Sequence, residues 1–311
     1  MRNYALIMTC IWVLIVSPGS NADLAGGISD YKIGNYASAV YQWRDSAEKG
    51  DAESQYRLAL MYLTGQGVKK RPEKAHKWLY LSASSGHLLA QKTLSKYLLE
   101  NSEDARDVEK AAMWLARADA QDDLQSSYQL GLLYLEGKGV EKNEELAAKL
   151  ISKAASGGVI LALNVLGNLY ESGVGVKKNY KSAFRFYIKA AKANDSDAQN
   201  SLGKLYLDGR GVDKNYAWAV FWFSMSAQQG NEVAEKNLME SLEYLRRGAV
   251  NVDVANVRDG ISTNYPVVGQ AYQGDRLPVL GKADGWSQVY LVKEGRLGWI
   301  DSSLLTVPSS H

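Results

Sequence analysis

Residues 197–230 read DAQNSLGKLYLDGRGVDKNYAWAVFWFSMSAQQG, and the pattern of this segment recurs along most of the chain. Its last glycine belongs to a ladder of residues that tolerate a left-handed backbone and stand 36 positions apart. A fixed period of this length predicts an array of stacked helical units, in which neighbouring units bury each other's apolar faces. The ladder comprises Gly50, Gly86, Asp122, Gly158, Asn194 and Gly230, and leucines keep the same step at Leu58, Leu94, Leu130, Leu166, Leu202 and Leu238.

Within one repeat the pattern predicts a helix, a loop and a second helix. Ser54, Leu58 and Tyr62 fall on one face of the first helix at steps of three and four residues. A Gly-x-Gly-Val loop follows at residues 65–68, 137–140, 173–176 and 209–212. Helices of about 13 residues are too short to be stable alone, so stacking must stabilise them. The second helices are expected to begin at residue types that cap a helix N-terminus, namely Asp107, Asn143, Asn179 and Asn215.

These motifs resemble the Sel1-like repeat family, whose units read A-x-x-x-L-G-x-x-Y-x-x-G-x-G-V, then A-x-x-W and A-A-x-x-G. The resemblance implies a right-handed superhelix of antiparallel helix pairs. We expect an α-solenoid over residues 23–245, with five full repeats over about residues 50–230 and capping helices at residues 31–49 and 231–245. The second repeat has Asn-Ser-Glu-Asp at residues 101–104 in place of Gly-x-Gly-Val. A helix pair with a looser turn is expected there.

After the repeats the composition changes to short runs rich in Val, Ile, Tyr and Trp between Gly and Asp turns, which is typical of a small all-β domain. Residues 256–260 (NVRDG), 285–289 (GWSQV) and 298–305 (GWIDSSLL) resemble the motifs of the bacterial SH3 family. Leu304 stands where that family commonly has a tyrosine. The resemblance implies a small SH3-type β-barrel over residues 253–306, joined to the solenoid by a linker at residues 246–252.

Residues 1–22 have the pattern of a secretory signal: Arg2, an apolar run over residues 4–16, and small residues at Ser20-Asn21-Ala22. The alternative is an uncleaved anchor. The only cysteine, Cys10, lies in the apolar run, so no disulfide is expected after cleavage. We expect an exported protein without a membrane span after cleavage, with the periplasm favoured and secretion as an alternative. The net charge of +2 argues against nucleic-acid binding.

No pattern of reactive residues accompanies the repeats. The three histidines, His76, His87 and His311, occupy unrelated positions, and none forms an i, i+4 pair. Acidic residues lie at turns and helix starts, where they are expected to remain solvated. The Gly-x-Gly-Val loops lack the Lys-Ser/Thr of a phosphate-binding loop. The sequence therefore predicts no catalytic residues, no metal site and no cofactor.

The first helices carry a candidate partner-binding groove. Because Leu58 faces the core, residues two before and two after it turn away at 100° per residue. These positions vary between repeats while the core positions recur, as expected if a partner contacts them. Tyr56 with Leu60, and Tyr128 with Leu132, are predicted as exposed hot spots, with a merely solvated face as the alternative. The candidates are Tyr56, Leu60, Lys92, Lys96, Tyr128, Leu132, Asn164, Asn168, Asn200 and Lys204.

The barrel offers a second candidate site. Strand alternation over residues 286–291 predicts that Val289 and Leu291 point inward, whereas Gln288 and Tyr290 point outward. Ile300 is the better core candidate beside Trp299. An aromatic strip is a common surface for glycan or peptide contact. The alternative is that these rings complete the barrel core or pack against the last repeat. The candidate ligand-binding residues are Tyr265, Trp286, Tyr290 and Trp299.

Together these features predict an exported, non-enzymatic scaffold that binds bacterial envelope proteins through the repeat groove. The barrel would add a contact to peptidoglycan or to another protein. Three alternatives remain open: a regulator of a peptidoglycan-active enzyme, an enzyme of wall turnover, and a secreted factor that binds host proteins.

Overall fold

A computed structural model describes residues 18–101 and 104–308. The chain divides into two compact units. The first comprises the chain up to Ser126 together with Lys138–Val140, and the second comprises Ser127–Gly137 and the chain from Glu141 onward. Residues 1–17 of the predicted signal segment, with its apolar run and Cys10, lie outside the described residues.

The described residues form thirteen α-helices followed by seven β-strands, as the sequence predicts for a repeat solenoid with an SH3-type barrel. None of these helices has the length and apolar character needed to cross a bilayer. The helices are α1 Pro18–Lys32, α2 Tyr36–Glu48, α3 Ala52–Thr64, α4 Pro72–Ser84, α5 Leu88–Asn101, α6 Ala105–Asp119, α7 Leu124–Glu136, α8 Glu144–Ser156, α9 Ile160–Ser172, α10 Tyr180–Lys192, α11 Ser196–Asp208, α12 Tyr216–Ala227 and α13 Glu232–Ser241.

Of the first helix pair, α1 and α2, the sequence predicted only a single capping helix. Helix α1 begins at Pro18, inside the predicted signal segment, and packs against α2. Trp43 is fully buried in this pair, and its indole Nε1 donates to the Leu24 carbonyl at 3.4 Å. A full helix pair, rather than a single capping helix, therefore precedes the first of the five repeats.

The left-handed ladder is confirmed. All six residues have positive φ, including the two that are not glycine, Asp122 at 61° and Asn194 at 67°. The helix caps agree as well, because the side chains of Asn143, Asn179 and Asn215 each accept the backbone N–H three residues later. The predicted start at Asp107 is wrong.

In that second repeat Asp104 is the cap, and α6 begins at Ala105. Without the Gly-x-Gly-Val loop the connection is shorter, so the helix starts about one turn earlier. The expected helix pair, α5 and α6, is confirmed, and residues 102–103 of its turn lie outside the described part of the chain.

The second glycine of each loop lies against the helix that begins about 30 residues earlier. A Cβ on Gly211 would overlap the backbone of Tyr180 at the start of α10, and Gly175 has the same relation to Glu144 in α8. Gly67 and Gly139 approach Tyr36 and Val108 in the same way. All four have positive φ between 65° and 74°. Glycine is therefore required twice over, by backbone conformation and by space.

Core side chains of the two helices in one repeat are matched in size. A residue on the first helix faces a fully buried residue 20 positions later on the second. In the last three repeats, the first-helix residue is a glycine because a Cβ would overlap the facing side chain. These pairs are Gly131 with Ile151, Gly167 with Tyr187, and Gly203 with Phe223, and the corresponding earlier positions are Ala59 with Leu79 and Ser95 with Leu115.

Seven strands follow the helices in the order β3-β2-β6-β5-β4-β1-β7, and all their pairings are antiparallel. The segment predicted to be a linker, residues 246–252, includes strand β1. Val250 of this strand points into the barrel core and is buried. The strands are β1 Arg247–Val250, β2 Val254–Arg258, β3 Val267–Tyr272, β4 Arg276–Ala283, β5 Trp286–Leu291, β6 Arg296–Asp301 and β7 Leu305–Thr306.

The loop glycines give a prediction about stability. Gly211→Ala should lower the free energy of unfolding by about 3 kcal/mol or more, because it combines left-handed strain with overlap against the Tyr180 backbone. Gly230→Ala is the matched control, because Gly230 has φ of 85° but open space around its Cβ position. It should lose only about 1–2 kcal/mol. Urea unfolding followed by circular dichroism measures both, and equal losses would contradict the role of close packing.

Candidate functional site

The groove candidates that lie two residues before the core leucine join successive repeats. The Tyr56 ring lies 4.9 Å from the His87 ring of the next repeat. Lys92 Nζ is 2.7 Å from Asp123 Oδ2, and Asn200 Oδ1 accepts a hydrogen bond of 2.8 Å from Asn237 Nδ2. Each contact spans 31 to 37 residues of sequence. These side chains therefore already have partners within the protein.

The Lys92–Asp123 pair is one of these contacts, and it changes the pKa of the aspartate. Burial alone would raise the pKa of Asp123, but hydrogen bonds from Lys92 and Ser126 outweigh it and hold that pKa below its usual value. The carboxylate is therefore charged at neutral pH, and the pair links one repeat to the next.

Three residues of this row are less accessible than predicted. Tyr128 is only 9% exposed, so the expectation that it is an exposed hot spot was wrong. It packs with Leu163 and Leu166 in the core of the second unit, and burial raises the pKa of its hydroxyl. Asn164 and Asn200 are also buried, each at 8% exposure. All three were expected on the outer face because the periodicity of one helix takes no account of the neighbouring repeat.

The candidates two residues after the core leucine remain accessible. Leu60 and Leu132 are half-buried, and their side chains reach the surface. Asn168 is exposed and lies beside the buried Tyr187, whose hydroxyl is 2.6 Å from Asn168 Oδ1. The remaining members of this row, Lys96 and Lys204, are exposed.

The strand alternation predicted for the barrel is confirmed in β5. Val289 and Leu291 are buried in the barrel core, together with Ile300 from β6. Gln288 lies on the outer side and is half-buried. Tyr290 also points away from the barrel core, but it is only 3% exposed.

Tyr290 is buried because helices of the last repeats cover it. It packs against Phe223 of α12 and Leu238 of α13, with Leu280 and Leu297 of the barrel around it. Burial, with the nearby charge of Glu235, raises the pKa of its hydroxyl. Tyr290 is therefore a contact between barrel and helices, and an exposed position for it was wrong.

The other three barrel candidates are spread over the surface. Tyr265 is exposed and packs over Gly260. Trp286 is half-buried and begins strand β5, which pairs with β6. In the described part of the chain no ring contact joins these residues into an aromatic strip. Trp299 is half-buried and lines a cleft.

This cleft, which we call the α12–barrel cleft, has a volume of about 460 Å³. Its floor is a row of cross-strand neighbours, because Gly281 pairs with Gln288 and Gln288 pairs with Trp299. Its wall is the exposed side of α12, where Trp218 and Phe221 make an edge-to-face ring contact at 5.5 Å. The remaining lining residues are Asn215, Ala217, Leu280 and Lys282.

Trp218 and Phe221 were missed as candidates, although the repeats themselves contain the signal. In the four earlier repeats most of the corresponding residues are polar, whereas the fifth repeat has aromatic rings at both positions. Trp218 is nevertheless 49% exposed, so the barrel covers it only in part. The residues that correspond to Trp218 are Lys74, Lys110, Leu146 and Ser182, and those that correspond to Phe221 are Lys77, Met113, Lys149 and Arg185.

Within the described ranges, no group of three His, Cys, Asp or Glu side chains is placed to hold a metal ion. Apolar rings with a few polar groups at the edge of a concave surface are typical of a ligand site.

The buried tyrosine gives the second prediction. Tyr290→Ala should lower the free energy of unfolding by about 3 kcal/mol, because it leaves a cavity between the barrel and α12. Hydrogen exchange should accelerate in both α12 and β5. Tyr272→Ala is the control, because Tyr272 lies on β3 and is 51% exposed, and its loss should stay within about 0.5 kcal/mol. Faster exchange in β5 alone would show that the barrel and the helix are not coupled through Tyr290.

Comparison with known families agrees with this architecture. The family model described as the Sel1 repeat matches residues 52–87, 89–123, 124–159, 160–195 and 196–231. The model described as the bacterial SH3 domain matches residues 253–306. A search of curated proteins gave no significant match.

Two solved structures illustrate the similarity. One is c5321, described as a protective antigen present in uropathogenic Escherichia coli strains displaying an SLR fold, with 31% identity and a TM-score of 0.64 over 72% of this chain and 49% of that one. The other is a Sel1 repeat protein from Oxalobacter formigenes, with 28% identity and a TM-score of 0.60 over 71% of this chain and 88% of that one. The chain thus spans about half the length of c5321.

Proposed function

Since this chain belongs to the Sel1 repeat family, we propose that it is an exported, non-catalytic scaffold that binds proteins of the bacterial cell envelope. Sel1 repeats and SH3-type domains are both protein-interaction modules, and proteins of the Sel1 repeat family are generally non-catalytic. The barrel adds a contact to peptidoglycan or to another protein.

The observation that carries this proposal is the contrast between two faces of the first helices. The core face repeats closely, whereas the accessible row changes from one repeat to the next. Packing requires the first face, and nothing in packing requires the differences in the second. In the first unit the accessible row is Leu60 and Lys96, and in the second unit it is Leu132, Asn168 and Lys204.

Export is proposed from the sequence alone. The support is the pattern of residues 1–22, in which one basic residue precedes an apolar run and small residues. The periplasm is the favoured compartment, because an envelope scaffold would meet both its protein partners and the cell wall there.

A second candidate function is supported by one comparison. The 31% identity to a protective antigen of uropathogenic Escherichia coli supports a role in which the protein is exposed to a host. In that case the same accessible row would bind host proteins. Detection of the mature protein in the culture medium rather than in the periplasmic fraction would favour this candidate.

The scaffold proposal predicts a loss of partners on charge reversal. Lys96→Glu with Lys204→Glu should abolish most proteins that crosslink to the wild-type chain in intact cells, because both lysines are exposed on the accessible row. Mass spectrometry of the crosslinked proteins measures the loss. The matched control is Lys149→Glu with Lys181→Glu, which makes the same charge change on second helices.

The two variants separate a site from a general charge effect. If both lose partners equally, charge alone explains the result and the accessible row is not the site. If neither variant changes the set of crosslinked proteins, the row does not bind them.

The wall contact is tested with the whole chain, because an isolated barrel would expose Tyr290 to solvent. We expect the mature protein to sediment with purified peptidoglycan, and Trp286→Ala with Tyr265→Ala to reduce the bound fraction. Tyr272→Ala is the control, since it removes an equally exposed ring from β3. No sedimentation of a folded wild-type chain would restrict the barrel to protein contacts.

A further inference from the structure

We propose that the α12–barrel cleft binds a peptide segment in which an apolar or aromatic side chain adjoins a carboxylate. This inference rests on the proposed function, because it gives the scaffold a second and chemically defined protein contact. The cleft is separate from the accessible row of the first helices, since α12 is a second helix of its repeat.

The wall of the cleft is more apolar than the corresponding positions of the earlier repeats. Tyr290 and Leu280 already attach the barrel to α12 through Phe223 and its neighbours. Trp218 and Phe221 lie outside that attachment, at repeat positions that are mostly polar in other repeats. Trp218 remains 49% exposed, and buried aromatic rings are common anchors in protein recognition.

The floor of the cleft is open because of one glycine. Gly281 follows a register shift in β4, and a Cβ on it would meet no atom within 4 Å. Its φ lies outside the left-handed region, so the backbone alone does not require glycine there. Gly281 lines the cleft together with Trp218 and Trp299, so its missing side chain leaves room for an apolar group of a ligand near these rings.

The edge of the cleft offers hydrogen-bond donors and positive charge but no carboxylate among its lining residues. The Lys282 ammonium forms no ion pair or hydrogen bond with any residue that the structure describes. Asn215 Oδ1 accepts the Trp218 N–H as a helix cap, which leaves its Nδ2 donor for a ligand. The Gln288 amide can donate to a peptide carbonyl and accept from a peptide N–H. A ligand carboxylate beside Lys282 complements this charge.

A peptide fits these features better than a glycan. A sugar presents hydroxyl groups around most of its edge, and each one buried without a partner costs free energy. Apart from the two tryptophan indoles, only Asn215, Lys282 and Gln288 among the nine lining residues have polar side chains. A peptide needs few polar partners here, because its side chain can be apolar where the lining is apolar.

The test is selection of phage-displayed heptapeptides on the full chain, with counter-selection on the Gly281→Leu variant. The leucine fills the floor without backbone strain, so the variant should fold normally. We expect enriched peptides that contain an aromatic or large aliphatic residue next to Asp or Glu. Synthetic copies should bind the variant about tenfold or more weakly in fluorescence anisotropy.

The charge contact is tested by changing the carboxylate of the peptide and the Lys282 ammonium of the protein. Replacing the peptide Asp by Asn should weaken binding to the wild type but have little effect on binding to Lys282→Gln, because the two changes remove the same contact. Tyr272→Ala is the control and should bind like the wild type. Trp218→Ala should bind more weakly, which supports the wall as a contact surface.

Other outcomes overturn the proposal. If the selection yields no peptide that prefers the wild type over Gly281→Leu, or only peptides without an acidic residue, the cleft does not recognise this chemistry. Binding of N-acetylglucosamine oligomers that Gly281→Leu abolishes would assign the cleft to a glycan instead. An unchanged set of crosslinked proteins in Lys96→Glu with Lys204→Glu would overturn the scaffold proposal without affecting peptide binding, so the two failures are distinguishable.

Discussion

The close approach of each loop to the preceding repeat is the constraint on which the array depends. Where Gly67, Gly139, Gly175 and Gly211 lie, backbone meets backbone with no room for a side chain. Contact at this distance sets the spacing between successive helix pairs, and the apolar faces then fill a space whose dimensions are fixed. The left-handed residues at the other end of each repeat return the chain for the next unit. Two turns per repeat therefore control the geometry, and the helices between them vary on every face that the turns do not constrain.

That freedom supports the proposal that function lies on the parts that differ. The accessible row of the first helices contains leucine, lysine and asparagine, while the core leucines two residues earlier do not change. The fifth repeat varies on its second helix as well, where the aromatic rings of Trp218 and Phe221 replace mostly polar residues and line the cleft beside the barrel. The barrel is thus attached to the last repeat through α12 and α13, with Tyr290 as the buried centre of the contact. This contact holds the barrel against the last repeat helices.

The periodic parts of the structure were predictable from sequence, and the contacts between periodic units were not. The ladder, the caps at Asn143, Asn179 and Asn215, and the alternation of Val289 and Leu291 follow from local backbone chemistry. Tyr128 and Tyr290 were placed at the surface because helical and strand periodicity describe one element at a time. Each is covered by a neighbouring element, which no period within its own element reveals. The α12–barrel cleft required a comparison between repeats, since only that shows Trp218 and Phe221 as exceptions.

The size-matched pairs in the core have a consequence for how such a gene can change length. The two members of each pair, such as Gly203 and Phe223, belong to one repeat and lie on opposite sides of its Gly-x-Gly-Val loop. A duplication or deletion with its endpoints at the left-handed residues between repeats moves both members together and preserves their fit. Endpoints within the loops would instead join a first helix of one repeat to a second helix of another, and Ala59 would then face a ring that now fits only against glycine. Recombination between repeats therefore preserves the fit when its endpoints lie at the left-handed ladder residues, and not when they lie in the Gly-x-Gly-Val loops. The segment that can be duplicated or deleted thus begins and ends at the ladder.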